Sequence, residues 1–196
     1  MCRDSGDCCC GECGCDHDES MFVLSAVSSI VGMLFLGILA ILYSVNYMDV
    51  AWDVTTIDDS FVFLLLGVAG VLTFAGIFSL RSGDITEGLL FFTVGVSALM
   101  LHGGYFFGYG IPVIAGWVLA LVLFVAVIVL LNSRDITFGI AVFSFLAGLL
   151  FVVAFGSTEL GPIVAFLAFL FSGVLLLYVA ISDWVYVETG ADLPIL

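Results

Sequence analysis

The sequence predicts an all-α polytopic membrane protein, a six-transmembrane-helix bundle with a parallel helical-hairpin repeat. Three observations predict it. Hydrophobic residues fill 63% of the 196 positions and charged residues 10%, whereas soluble domains are about 45–50% apolar and about 25% charged. From Met21 onward the chain is almost continuously apolar and divides into six stretches, each near the roughly 20 residues that a hydrocarbon core of about 30 Å requires. Finally, one loop-and-helix segment recurs at an offset of 51.

The charge balance excludes other classes. Seventeen acids against three basic residues give a net charge of −14, so no nucleic-acid partner is expected, because phosphate binding needs clustered Lys and Arg. The same balance argues against docking on anionic headgroups, so the apolar stretches are read as spanning the bilayer, the expected lipid partner. An acidic chain without lysine also suits high salt, where repulsion between carboxylates is screened.

Residues 1–20 form a separate Cys-rich acidic tail, read as cytoplasmic. All six cysteines lie there, and Cys8, Cys9, Cys10, Cys13 and Cys15 with His17 offer Cys-x2-Cys and Cys-x-Cys spacings suited to Zn or Cu(I). A reduced cytoplasmic tail favours metal binding or redox sensing over a disulfide framework. Two plainer alternatives are a tail without function and translation starting at Met21. No cofactor is required elsewhere.

The transmembrane domain is expected over 21–183, with spans at 22–46, 60–80, 88–107, 112–131, 138–156 and 162–183, and a short cytoplasmic tail at 184–196. The first span is too long and too far in for a cleaved signal peptide. An even number of spans puts both termini on one side. Arg3, Arg81 and Arg134 then share a face, opposite the acidic loop at 46–60, and Lys and Arg in short loops are retained in the cytoplasm. A multi-pass cell-membrane protein with both termini cytoplasmic follows.

The repeat aligns Leu80–Thr93 with Leu131–Ser144, with seven of fourteen positions identical. Two helices separate the copies, so both run the same way and the repeat is parallel. Duplication competes with local convergence, because Asp-x-Thr is good helix-start chemistry, with Asp84 or Asp135 as N-cap and Glu87 closing a capping box.

The spans carry almost nothing ionisable. The absence of carboxylate pairs and of clustered metal ligands argues against a proton pump and against a membrane metalloenzyme, so the chain is not read as an enzyme. Small hydroxyls are the remaining polar groups. Thr86, Thr93 and Ser97 follow one helical face, and Thr137, Ser144 and Gly148 occupy the same phases in the related helix. Such a stripe either packs helices closely or lines a narrow path. Without a cation to neutralise a carboxylate, that path would favour a small monocarboxylate or its neutral acid over a dicarboxylate.

The run Phe74-Ala-Gly-Ile-Phe-Ser-Leu-Arg-Ser-Gly-Asp-Ile-Thr-Glu-Gly-Leu-Leu-Phe-Phe-Thr93 resembles the second-to-third helix signature of the acetate uptake transporter family, the succinate-acetate permeases. Gly173, Tyr178-Val-Ala180, Gly190 and Leu193-Pro194-Ile195 resemble that family's last helix and tail. The resemblance implies a homohexamer with a path for acetate in each protomer, often proton-linked. Together with the hydroxyl stripe it places the path at Phe35, Thr93, Gly95, Ser97, Ser144, Leu146 and Tyr178, with Phe35, Gly95 and Leu146 at the family's narrow point and Gly95 where the family has a constriction tyrosine. The family's Asn-Pro entrance motif has no counterpart in Asp18–Ser25. The functional expectation is therefore a channel or transporter for acetate or another small monocarboxylate. The alternative is a membrane-anchored metal or redox sensor that uses the cysteine tail.

Overall fold

The computed structural model describes residues 15–52, 59–107, 112–132, 136–155, 158 and 160–190. Six helices follow one another: α1 (Cys15–Trp52), α2 (Asp59–Ser82), α3 (Ile85–Phe107), α4 (Pro112–Asn132), α5 (Ile136–Phe155) and α6 (Leu160–Thr189). The expected all-α bundle is what forms. Segments in α1, α2, α5 and α6 are long and apolar enough to cross a membrane, running Leu24–Met48, Ser60–Ser82, Ile136–Phe155 and Leu160–Thr189. Helices α3 and α4, of 23 and 21 residues, reach roughly 34 and 31 Å at about 1.5 Å per residue.

Two helices overrun the expected spans. Helix α1 begins at Cys15 inside the acidic tail, and α6 continues to Thr189, past the boundary expected at 183. Apolar length marks where hydrocarbon ends, but a hydrogen-bonded helix continues until its backbone is stopped. For α6 the stop is Gly190, in the left-handed region at φ 67°, whose N–H donates to the Tyr186 carbonyl at 2.8 Å. That single bond is the αL cap.

The turn between α2 and α3 is equally specific. Gly83, at φ 97°, donates to Leu80 O at 3.3 Å and Asp84 N donates to Ser79 O at 3.0 Å, a Schellman motif. Asp84 then caps α3, its Oδ1 accepting from Glu87 N at 3.3 Å. The expected N-cap is present. The reciprocal arm of the capping box is replaced, because Asp84 N–H is held by Ser79 and the Glu87 carboxylate accepts from Ser29 on α1 instead. Asp135, the matching cap of the second copy, lies outside the described residues.

Each helix packs on its neighbours in sequence, and α6 returns to α1, so the six form a closed ring. All six contribute to one continuous apolar core. The outer surface is also apolar, with Phe74 64% and Leu121 66% exposed, as a lipid-facing surface requires and an aqueous one does not tolerate. Trp117 near the start of α4 and Trp184 and Tyr186 near the end of α6 are exposed; these lie toward opposite ends of the bundle, as interfacial aromatic belts do.

The repeat is visible in the packing. Between Leu65 and Leu80 the buried positions of α2 are 65, 68, 69, 72, 75, 76 and 79, and between Gly116 and Leu131 those of α4 are 116, 119, 120, 123, 126, 127 and 130. Every one is displaced by 51. Buried positions 88, 90, 91, 94, 95, 97 and 98 of α3 likewise map onto 139, 141, 142, 145, 146, 148 and 149 of α5. A Cβ on Gly88 would lie 2.7 Å from Leu80 Cγ, and one on Gly139 would lie 3.4 Å from Leu131 Cγ, so the same glycine receives the same leucine in both copies. Local helix-start chemistry does not account for agreement along four helices.

Candidate functional site

Three arrangements inside the ring carry the polar and aromatic groups. The first is an aromatic knot where α1, α5 and α6 meet. Phe169 of α6 lies 5.1 Å from Phe145 of α5, edge-on, and 5.4 Å from Tyr43 of α1. Tyr47, one turn further along α1, stacks on Phe169 at 5.8 Å. Gly148 makes room for it, since a Cβ there would already touch the Phe169 ring at 3.1 Å. Offset and edge-to-face rings at these separations attract beyond their area burial.

The second is a pair of serine bonds between α5 and α6. Ser144 Oγ donates to Ala168 O, and Ser172 Oγ donates to Ala141 O, each at 2.8 Å. For Ser144 the stripe is therefore helix glue, since its hydroxyl hydrogen is directed onto the neighbouring backbone. Ser172 is fully buried and was not among the expected residues. Its only sequence signal was a serine before Gly173 in an otherwise apolar stretch.

The third lies where α1, α2 and α3 converge near the Schellman turn. Ser28 and Ser79, both buried, approach to 3.5 Å, and beside them Ser29 donates to Glu87. The repeat makes this spot unusual. Glu87 is half-buried, while its counterpart Phe138 is a core residue only 4% exposed. One copy of a hairpin thus carries a carboxylate, tied to α1, where the other carries a phenyl ring. That substitution was readable in the alignment; its partner was not, because Ser29 is 58 residues away.

The expected path residues are distributed through the ring. Leu146 and Ser97 are buried, Phe35 packs against the core, and Thr93 and Tyr178 are half-buried. Gly95 sits in the α2–α3 seam, where a Cβ would lie 2.6 Å from Thr73 N and 2.9 Å from Ala69 O. That spacing leaves no room for the constriction tyrosine of the resemblance. Phe91 instead crosses the ring, its edge so close to Gly32 of α1 that a Cβ there would come within 2.7 Å of ring atoms. Among the described residues no buried side-chain nitrogen or oxygen lacks a hydrogen-bond partner.

Of the expected metal ligands, Cys8, Cys9, Cys10 and Cys13 lie outside the described residues, as do the side chains of Cys15 and His17 at the start of α1. Among the described residues no group of three or more His, Cys, Asp or Glu could hold a metal ion. No protein-family model, curated protein or solved structure matches the chain.

Proposed function

We propose that this protein is a membrane transporter or channel for a small monocarboxylate, acetate being the substrate to test, running with both termini cytoplasmic. The observation that carries the reading is the parallel repeat: α2–α3 and α4–α5 bury the same positions 51 residues apart, and parallel repeats about an axis along the membrane normal are a recurrent architecture of transport proteins. The character of the core is compatible with the substrate class. Among the described residues the interior is aliphatic and aromatic, its buried polar residues being Ser28, Ser44, Ser79, Ser97 and Ser172 without a buried cation, which suits a solute that crosses uncharged or partly dehydrated and disfavours a dianion. The resemblance of Phe74–Thr93 to acetate uptake transporters points the same way and brings with it a homohexamer and proton linkage.

The test is uptake of labelled acetate into proteoliposomes, with and without an inward proton gradient, using the whole chain and a chain starting at Met21. Saturable uptake by both, with succinate the weaker competitor, is the expected result. No uptake by folded protein, or a preference for succinate, overturns the reading. The six cysteines within the first fifteen residues favour the second reading, a metal or redox sensor anchored by the bundle. It is supported if equimolar zinc stays with the purified protein, is lost on deleting residues 1–20, and no solute is moved.

A further inference from the structure

On the outer surface α1 and α2 leave between them an open groove of about 320 Å³, walled by Val27 and Val31 on one side and Val71, Phe74 and Phe78 on the other. Its walls face the lipid, Val27 being 50% and Phe74 64% exposed. Beyond Phe78 the same face of α2 ends in a charge. Arg81 follows Phe74 by seven residues and Phe78 by three, two turns and one turn along the helix. It is exposed and is the basic residue of the last turn. Among the described residues, the carboxylates that follow it in the chain are engaged with α3 and α1, Asp84 accepting from Glu87 N–H and Glu87 from Ser29.

We propose that this groove is a binding site for an anionic phospholipid, with one acyl chain between α1 and α2 and the phosphate on Arg81. In a bilayer hydrocarbon fills an open apolar groove on a lipid-facing surface, and the guanidinium at its end supplies the headgroup preference. A chain of net charge −14 repels anionic lipid overall, and loss of the preference in Arg81→Gln separates this position from Arg3 and Arg134. The proposal does not depend on the transport reading.

Native mass spectrometry of the full chain in detergent, with added phosphatidylglycerol or phosphatidylcholine of matched acyl chains, tests it. The expected preference for phosphatidylglycerol is about fivefold, the effect of one basic residue at a lipid surface. Arg81→Gln should bring the ratio to about one, and Arg81→Lys should keep it. Val71→Trp, which fills the groove from its exposed wall, should weaken binding of both lipids. Equal binding by the unaltered protein, an unchanged ratio in Arg81→Gln, or no effect of Val71→Trp overturns the proposal. Displacement of the lipid by inorganic phosphate also overturns it, because the site would then be one for a free anion.

Discussion

Ser144 and Ser172 are joined by a reciprocal arrangement: each donates to a carbonyl that lies three or four residues before the other, Ser144 to Ala168 and Ser172 to Ala141, both at 2.8 Å. Two antiparallel helices are thereby clamped in register at one level. Interhelical hydrogen bonds in membranes are worth on average about 0.6 kcal/mol and at most about 1.7. Replacing either serine by alanine is therefore expected to cost about 0.5–1.5 kcal/mol, with the double variant close to the sum. Unfolding in mixed detergent micelles measures this; a loss below about 0.2 kcal/mol for both single variants contradicts the clamp.

Glycines of α2 give a contrast within one helix. A Cβ on Gly76 would lie 2.3 Å from Phe92 N and 2.7 Å from Phe92 Cα, whereas Gly67 and Gly70 have nothing within 4 Å. Backbone cannot swing aside as a side-chain tip can, so Gly76→Ala must push α2 and α3 apart, at about 1–3 kcal/mol. Gly67→Ala and Gly70→Ala should be neutral or slightly stabilising, since alanine is the better helix former by about 1 kcal/mol. Equal effects at the three positions in the same unfolding measurement would refute the close α2–α3 approach.

The Ser29–Glu87 bond ties α1 to the first hairpin across the bundle. A hydrogen bond to a charged group contributes about 1.5–3 kcal/mol when well buried, and half-burial of both residues reduces that to about 1 kcal/mol. A double-mutant cycle on Ser29→Ala and Glu87→Ala is expected to give a coupling energy of that size. Glu87→Gln, whose amide oxygen still accepts from Ser29, should retain most of the stability. A coupling near zero argues that the two side chains do not meet in the membrane.

Orientation is accessible through the two ends of the bundle. Ser82 lies at the end of α2 and exposed Thr158 in the connection between α5 and α6, at opposite ends of the bundle. In a chain with the six native cysteines replaced, Thr158→Cys should react with an impermeant maleimide from outside intact cells, and Ser82→Cys only after permeabilisation. The opposite pattern would place Arg81 outside and reverse the topology.

By itself the sequence determined the class and the number of helices, and it offered the repeat beside local convergence, a choice that the packing then decided. Continuous apolar length is a local property that hydrocarbon thickness converts directly into spans, and the match of Leu80–Thr93 to Leu131–Ser144 needed only alignment. Asp84 was legible as a cap for the same reason, its partner being Glu87 three residues on. Helix ends were less legible, because α1 and α6 run on past the apolar stretches until the backbone is stopped, as at Gly190.

Only the tertiary structure decided which polar and aromatic groups meet. Ser144 could have lined a path or joined two helices, and its bond to Ala168 required knowing that α6 lies beside α5. Tyr43, Phe145 and Phe169 come from three helices and share no sequence spacing. The carboxylate of Glu87 turned from its own helix start to Ser29, 58 residues away. In a chain that is apolar on every face, periodicity does not say which face turns inward; the close approach of glycines such as Gly76 and Gly95 to neighbouring backbone does, and that contact exists only once the ring has closed.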